Sequence, residues 1–507
     1  MKAEGHLSLD ELLLSGGDAR LALDPTSGLN IYGCSPRPRK HIDDFSSSTA
    51  STISENAYCR AERSRRLLEK KGINGFDDLA EEARLELRGY LGLHDREAEI
   101  IFSPSGTDTQ LLALFLVRAT LGKPLTSIVV GSDQTGGGTT HTAQGCQFID
   151  GGTLKKGDAI EGLSEGVRSV SVPFCDPDGR PRTLAEIDGA VTGAVEVAIA
   201  GGSYVLLQTM ASSKLGWTAP SHACVKYLRE NWPSKIRVVV DACQMRIGLS
   251  RLRDNLARGH ILLVTGSKFF CGPPFSGALI IPASMRSAIA ATSDVPATLV
   301  NRSRKFDWPC RWDKLRTAFS DQPNIGQWLR WEAALEEMHA YYAVPGFFRR
   351  MALQRFAEAA PGIIAASPSL IPFNAAVHDA IPTLDGEFCT PTIFSFFAGH
   401  LKQAFSLAES IALYQALNRN FTPPILAASG TCARQSATCH SHVGQPVPMG
   451  CRDRAVLRIS SSARLVTRCW SPDPVVAAAR IEDEITKVQA VIEKVSLLAQ
   501  YVDAAAA

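Results

Sequence analysis

The sequence lacks an excess of charge of either sign. Its 507 residues include 53 Lys and Arg against 51 Asp and Glu, a formal net charge of +2. The basic residues form no sustained run, whereas a surface that binds nucleic acid or anionic lipid normally concentrates positive charge. The composition therefore predicts neither a nucleic-acid partner nor a membrane partner, and favours small molecules as ligands.

Long apolar runs are also missing from the sequence. No segment reaches the roughly 20 apolar residues that span a bilayer. The opening MKAEGHLSLDELLLSGGDAR carries acidic residues in its short apolar part, unlike a signal peptide. Thirteen cysteines, an odd number scattered along the chain, are typical of reduced thiols rather than of a disulfide framework. These features predict a cytoplasmic protein.

The pattern of apolar residues predicts an α/β fold. Hydrophobic residues make up 45% of the chain, enough for a large core. Continuous, β-branched apolar runs are typical of buried parallel strands, and helix-length segments separate them. These runs are at 127–131, 204–209, 236–242 and 260–266. The alternation predicts a mostly parallel sheet with helices on both faces.

The pattern of loop, strand and helix segments changes along the chain, and these changes predict its division into domains. The first sixty residues are rich in loop-forming residues and predict an N-terminal arm at 1–60. The alternating strands and helices predict a large α/β domain at 61–320. Mainly helical segments with shorter strands follow, which predicts a smaller α+β domain at 321–507.

One predicted strand leads into a possible anion site. Open α/β sheets bind ligands beyond the carboxyl ends of their strands. The stretch IIFSPSGTDTQLLALFLV contains a strand, then Ser105, Gly106 and Thr107 at the start of an apolar helix. Free backbone amides at a helix N-terminus suit a phosphate group. An ordinary N-cap is the alternative interpretation.

Two further strand ends carry charged residues. Asp241 directly follows the apolar run of RVVVDACQ, and Lys268 follows HILLVTGS, before the turn CGPPFSG. A carboxylate buried at such a position needs a cation, and a partly desolvated lysine becomes a nucleophile toward carbonyl groups. Either residue alone would also fit a structural salt bridge. Together with the anion site, they fit a ligand with a phosphate, an aldehyde and a basic ring nitrogen.

That ligand is pyridoxal phosphate, and the three segments resemble the fold type I enzymes that use it, specifically the class V aminotransferase and cysteine desulfurase branch. The resemblance implies that Asp241 pairs with the pyridine nitrogen and that Lys268 forms the internal aldimine. It also implies a large domain with a seven-stranded type of sheet, a smaller C-terminal domain and a homodimer.

The resemblance implies roles for further residues. Thr265 and Ser267 would help to hold the phosphate, and Gln244, three residues after the aspartate, would contact the cofactor. The stretch TMASSKLG places Ser213 where the family often has an asparagine on the ring oxygen. The stretch SDQPNIG places Gln322 where the family reaches the phosphate of the neighbouring subunit.

Substrate-binding and ring-stacking residues are less closely defined by the sequence. Arg458 lies where the family carries the arginine that binds the substrate carboxylate, with Arg464 as the competing choice. Tyr32, in the arm, is a candidate to cover the substrate. Candidates to stack on the cofactor ring follow the run SIVVG: His141, Gln134 and Thr135.

The sequence is compatible with more than one reaction. The leading interpretation is an aminotransferase-type reaction at the α-carbon of an amino acid. The alternative is a carbon–sulfur lyase or cysteine desulfurase that uses Cys432 or Cys439 as the sulfur acceptor. These two cysteines with His440 and His442 match no common zinc-ligand spacing, so we expect no metal, and a loop with unreactive thiols is a further possibility.

Overall fold

The computed structural model describes residues 7–94, 96–151, 154–292, 294–373, 377, 382–400, 403–419, 439–450 and 453–506. The helices are α1 (Leu9–Leu14), α2 (Glu55–Lys71), α3 (Phe76–Tyr90), α4 (Gly106–Leu121), α5 (Thr139–Thr142), α6 (Leu184–Ala200), α7 (His222–Asn231), α8 (Leu249–Ala257), α9 (Arg286–Ala290), α10 (Ala297–Arg302), α11 (Asp313–Arg316), α12 (Ile325–Tyr342), α13 (Gly346–Ala366), α14 (Pro382–Asp385), α15 (Leu407–Leu417), α16 (Ala463–Cys469) and α17 (Pro474–Ala506). The strands are β1 (Ile42–Asp44), β2 (Ala98–Ser103), β3 (Leu125–Val130), β4 (Val167–Val172), β5 (Tyr204–Met210), β6 (Ile236–Asp241), β7 (Ile261–Thr265), β8 (Gly277–Pro282), β9 (Leu370–Phe373), β10 (Ile393–His400), β11 (Gln403–Ala404), β12 (His440–His442), β13 (Gly444–Pro448) and β14 (Ala455–Ser460).

A seven-stranded sheet forms the centre of the fold. Its strand order is β2-β8-β7-β6-β5-β3-β4, and β8 runs antiparallel to its neighbours β2 and β7. The other pairs are parallel, so the four runs predicted as strands are confirmed as β3, β5, β6 and β7. The predicted α/β class, with a mostly parallel sheet between helices, is confirmed.

A second sheet lies toward the C-terminus of the chain. Its order is β11-β10-β14-β13, β9 also pairs with β10, and all of these pairs are antiparallel. Helices α13, α15 and α17 pack around it. The division of the chain at residues 60 and 320 stays a prediction. Within the described ranges, no helix combines the length and the apolar character that crossing a bilayer requires.

The N-terminal arm is built into the body of the protein. Strand β1 pairs in parallel with β12, so residues 42–44 lie beside residues 440–442. Helix α1 packs on α12, whose buried Arg330 donates hydrogen bonds to the carbonyls of Leu13 and Ser15 at 2.9 and 2.6 Å. These contacts satisfy a guanidinium that burial would otherwise destabilise. The arm is therefore held at a fixed place on the core.

Gly326 tests how closely the arm and core approach. A Cβ atom at this position in α12 would lie 2.3 Å from the carbonyl oxygen of Leu12 and 2.6 Å from that of Ser15. We expect Gly326→Ala to lower the free energy of unfolding by roughly 1–3 kcal/mol, because backbone atoms must move. Urea denaturation followed by tryptophan fluorescence measures this change.

The matched control is Gly189→Ala in α6, where a Cβ would meet nothing within 4 Å. Because alanine is the better helix former, this control should raise the free energy of unfolding by roughly 0.5–1 kcal/mol. Equal effects of the two substitutions would contradict the close approach of arm and core.

Candidate active site

A cavity of about 260 Å³ lies at the carboxyl ends of β5, β6 and β7. Its position is the one expected for a ligand site in an open α/β sheet. The structure brings together in its lining the predicted site residues Tyr32, Ser105, Gly106, Thr107, Ser213, Asp241, Gln244, Thr265, Ser267, Lys268 and Arg458. Gln322 does not line this cavity and is exposed.

Asp241 ends β6 with its carboxylate buried in the cavity wall. It accepts hydrogen bonds from the Cys243 amide at 3.1 Å and from the Gln110 side-chain amide at 3.3 Å. In the part of the chain that the structure describes, no Lys, Arg or His nitrogen lies within 4.0 Å of it. Burial raises the pKa of Asp241, although these hydrogen bonds oppose the rise. The site thus presents a buried carboxylate without an ion-pair partner among the described residues, although the charge of Lys268 acts on it.

Lys268 lies three residues after the end of β7 and reaches into the same cavity. Its ammonium donates a hydrogen bond to the Thr49 carbonyl. Burial, together with the charges of Arg458 and Arg246, lowers the pKa of Lys268 to about 8 from an ordinary value of 10.5. A substantial fraction of the amine is therefore neutral, and nucleophilic, near physiological pH.

The N-terminus of α4 closes one end of the cavity. Ser105 caps this helix, since its hydroxyl accepts from the Asp108 amide at 3.2 Å and donates to the Asp108 carboxylate. The motif can therefore serve both as an N-cap and as an anion site, because the cap leaves Gly106 and Thr107 lining the cavity. Their amides are at the positive end of a 16-residue helix, where an anion is stabilised.

The residues that follow β7 continue this polar end of the cavity. The Thr265 hydroxyl donates to the Cys243 carbonyl at 2.8 Å, and Ser267 donates to the Thr265 hydroxyl at 3.4 Å. Both side chains are buried and line the cavity. The two hydroxyls are therefore available next to the helix N-terminus.

Arg20, which sequence reasoning missed, lies at the same end. Its guanidinium pairs with Asp18 at 2.6 Å and contacts the Ser105 hydroxyl at 3.4 Å. It also stacks on the Phe275 ring, 4.9 Å from the centroid. Burial opposes the charge of Arg20, but the hydrogen bond to Asp18 raises its pKa above the ordinary value. A single arginine in a loop-rich arm carries no sequence signal for this role.

Gln244 is held rigidly by its neighbours. Its amide nitrogen donates to the Ser48 carbonyl at 2.9 Å, and its oxygen accepts from Arg246 at 2.8 Å. Arg246 in turn donates to the hydroxyls of Ser47 and Thr392 at 2.8 and 2.9 Å. This network joins the arm, the end of β6 and the start of β10 around one buried guanidinium.

Ser213 lines the cavity, but its hydroxyl is largely engaged within its own loop. It accepts from the amides of Leu215 and Trp217 at 3.1 and 3.0 Å and donates to the side-chain oxygen of Gln134. Gln134 is 2% exposed, and its amide nitrogen has no hydrogen-bond partner among the described residues. Gln134 therefore offers an unused donor in the cavity wall. Contact of Ser213 with a ring oxygen stays a prediction.

The two candidate arginines differ in their surroundings. Arg458, in β14, is 1% exposed and lines the cavity, where it donates to Ser48, Thr49 and Gln445 oxygens. Arg464 instead pairs with Glu337 at 2.6 Å and does not line the cavity. Arg458 is thus a buried cation without a carboxylate partner among the residues described.

Residues Ser48, Thr49 and Ala50 cover the cavity from the arm side, and sequence reasoning missed them. They belong to the buried SSSTAST stretch and supply the carbonyl that holds Lys268 and the hydroxyls that hold Arg458. The run of serine and threonine residues is the feature of the sequence that could have indicated their role. Tyr32 lines the cavity nearby, and burial raises its pKa.

Some of the remaining candidates line the cavity, and others lie elsewhere in the fold or outside the described residues. Of the ring-stacking candidates, Gln134 and Thr135 line the cavity and His141 does not. Cys432 lies outside the described residues, and Cys439 is exposed with a free thiol. Within the described ranges no group of His, Cys, Asp and Glu is arranged to hold a metal ion.

The chain has similar folds among solved structures but no matching sequence family. No family model matches the chain, and no curated protein sequence matches it. Among solved structures, similar folds include a NifS-like protein, with 13% identity over 87% of this chain and 98% of that chain, and a TM-score of 0.47. The phosphoserine aminotransferase SerC from Cytophaga hutchinsonii has 13% identity over 88% and 97%, with a TM-score of 0.49. The cysteine desulfurase CsdA from Escherichia coli has 12% identity over 88% and 94%, with a TM-score of 0.46.

Proposed function

We propose that the chain is a cytoplasmic, pyridoxal-phosphate-dependent enzyme that acts at the α-carbon of an amino acid, in an aminotransferase-type reaction. One observation carries the proposal. A buried carboxylate without an ion-pair partner among the described residues, Asp241, shares a cavity with a lysine of lowered pKa, Lys268, and with the first residues of helix α4. This combination of groups matches a ring nitrogen, an aldehyde and a phosphate.

The residues present fit this cofactor. The Asp241 carboxylate would gain a cation as a direct partner, and the Gln134 amide nitrogen would gain an acceptor. The amides of Gly106 and Thr107, with Thr265 and Ser267, would hold the phosphate. When bound, pyridoxal phosphate supplies an electron sink for bonds that break at the α-carbon of an amino acid.

Asp241 holds a proton on the ring nitrogen in this assignment. A charge pair at about 4 Å in an effective dielectric near 20 is worth roughly 4 kcal/mol. Since about 1.4 kcal/mol corresponds to a factor of ten, the protonated nitrogen would be favoured by about three powers of ten. Gln110 and the Cys243 amide fix the orientation of the carboxylate for this contact.

Lys268 has two tasks. Its neutral amine would hold the cofactor in the cavity through the aldehyde group. The same amine would also move a proton at the α-carbon of the substrate, as general base and acid. The pKa of about 8 places the amine close to the range in which both protonation states are populated at physiological pH.

Arg458 binds the substrate carboxylate. Its guanidinium donates to neutral oxygens of Ser48, Thr49 and Gln445, so its full charge is available to an anion. Planar, bidentate recognition of a carboxylate suits arginine. The arm residues that hold Arg458 also cover the cavity, and they help to exclude water from the reacting groups.

The central test is cofactor capture followed by turnover. Borohydride treatment of the protein incubated with pyridoxal phosphate should fix the cofactor to Lys268, as peptide mass spectrometry would detect. Asp241→Asn should retain this attachment and lower turnover about 10³-fold, because the ring nitrogen loses its countercharge. The matched control is Asp188→Asn, since Asp188 accepts a hydrogen bond from the Ser221 amide and does not line the cavity.

Products distinguish the leading reaction from the alternative. We expect a 2-oxo acid from an amino acid and an acceptor, with activity unchanged when Cys432 and Cys439 are both replaced by alanine. Sulfide or persulfide formation from cysteine that disappears in this double variant would instead establish a desulfurase. An unlabelled Lys268 would refute the entire proposal.

The pKa of Lys268 makes a separate prediction about pH. Only the neutral amine attacks the aldehyde, so the rate of cofactor capture by the apoprotein should rise with pH and reach half its maximum near 8. The control is a free lysine side chain, with its ordinary pKa of 10.5. Coincident pH profiles for protein and control would show that the cavity does not lower the lysine pKa.

The proposal includes a homodimer in which Gln322 acts on the partner's phosphate. Its exposed position outside the cavity supports this, because it cannot serve its own site there. Lys268→Ala and Gln322→Ala should each lower activity, and a mixture refolded together should recover roughly a quarter of wild-type activity through hybrids with one intact site. A monomer by light scattering, or no recovery, would contradict this assembly.

A further inference from the structure

The cavity wall carries more positive than negative charge. Its lining includes four cationic side chains and one carboxylate: Arg20, Lys214, Lys268, Arg458 and Asp241. Arg20 is compensated by Asp18 at 2.6 Å. The excess is therefore concentrated on three cations, which is costly in a partly desolvated space unless a ligand brings negative charge.

Lys214 is the cation for which the proposed chemistry has no use. It lies in the loop after β5, half-buried, and lines the cavity. Across the described ranges, no carboxylate lies within 4.0 Å of its ammonium. Burial and the charges of Arg458 and Lys268 lower the pKa of Lys214 to about 8, while Asp133 and Asp241 act in the opposite direction. It still carries a proton for much of the time at neutral pH.

Lys214 lines the same cavity wall as Arg458 and Lys268. Its charge interacts with those of Arg458 and Lys268, and also with those of Asp133 and Asp241. Arg20 interacts instead with Asp18 and with Asp108, beside the N-terminus of α4. Arg20 is therefore grouped with the helix end of the cavity, and Lys214 with the end that contains Arg458. The helix end is assigned to the phosphate, and the end with Arg458 is assigned to the α-carboxylate.

We infer that Lys214 binds a second anionic group, on the side chain of the substrate, so that the enzyme acts on acidic amino acids. This inference rests on the proposed function and names the substrate class for it. Once the cofactor occupies Lys268 and Asp241, and the α-carboxylate occupies Arg458, Lys214 is the cation among the described lining residues that still has no anionic partner. A carboxylate, sulfonate or phosphate would supply its missing partner.

Dicarboxylates that cannot react test this inference directly. In calorimetric titrations of the cofactor-loaded enzyme, succinate and glutarate should bind about tenfold or more tightly than butyrate and valerate, because the extra carboxylate gains a charged hydrogen bond. Lys214→Met should abolish most of this difference and leave butyrate affinity unchanged. Lys214→Arg, which keeps the charge, should retain part of it.

The control is Lys226→Met, since Lys226 is an exposed lysine 3.8 Å from Glu230 and outside the cavity. It should bind all four acids like the wild type. Spectral titration with aspartate, glutamate and phosphoserine against alanine and leucine extends the same comparison to substrates, and identifies which side-chain anion is preferred.

Three results would overturn the inference. The first is a loaded wild-type enzyme without preference for diacids, and the second is a preference that survives in Lys214→Met. The third is loss of the borohydride-fixed cofactor at Lys268 in Lys214→Met, which would assign Lys214 to the cofactor instead. A wild-type enzyme that fixes no cofactor at Lys268 would overturn the proposed function and, with it, this inference.

Discussion

The pairing of β6 with β7 is the constraint on which the site depends. Asp241 is the last residue of β6 and lies opposite Leu263 of β7, two residues before that strand ends at Thr265. Neighbouring strands are about 4.8 Å apart, so the chain segments that carry the carboxylate and Lys268 leave the sheet side by side. The strand register thus brings an acid and an amine into one cavity without any specific contact between them.

The second constraint comes from outside the sheet. The arm residues 46–52 are buried over the cavity, and Arg246 holds them by donating to Ser47 on one side and to the Gln244 oxygen on the other. Burial lowers the pKa of Arg246 to about 9, which reflects how completely this guanidinium is enclosed. The strand ends supply the reactive groups, and the arm supplies the enclosure that changes their protonation.

The sequence was informative where a local pattern is tied to a physical requirement. Continuous apolar runs predicted β3, β5, β6 and β7, because strands covered on both faces have no solvent side. The same runs located Asp241 and Lys268, since a charged residue at the end of such a strand stands out. Strand β8 was not among the predicted strands, although its six residues GALIIP are fully buried, because they follow a turn rich in glycine and proline.

Residues whose roles depend on distant parts of the chain could not be predicted. Ser48 and Thr49 meet Arg458 about 410 positions away, and no local pattern encodes such contacts. The sequence placed Ser213 in the cavity, but could not reveal that its hydroxyl engages the amides of Leu215 and Trp217. Lys214, next to it, had no distinguishing pattern, because a lone lysine after a strand is common on protein surfaces.

The pairing of β1 with β12 links the cover of the cavity to the C-terminal sheet. Strand β12 leads directly into β13, which pairs with the β14 strand that carries Arg458. Thr49 contacts both Lys268 and Arg458. A rotation of this sheet would therefore move the arm residues over the cavity as well, and would change the contacts of Thr49 with Lys268 and Arg458 together.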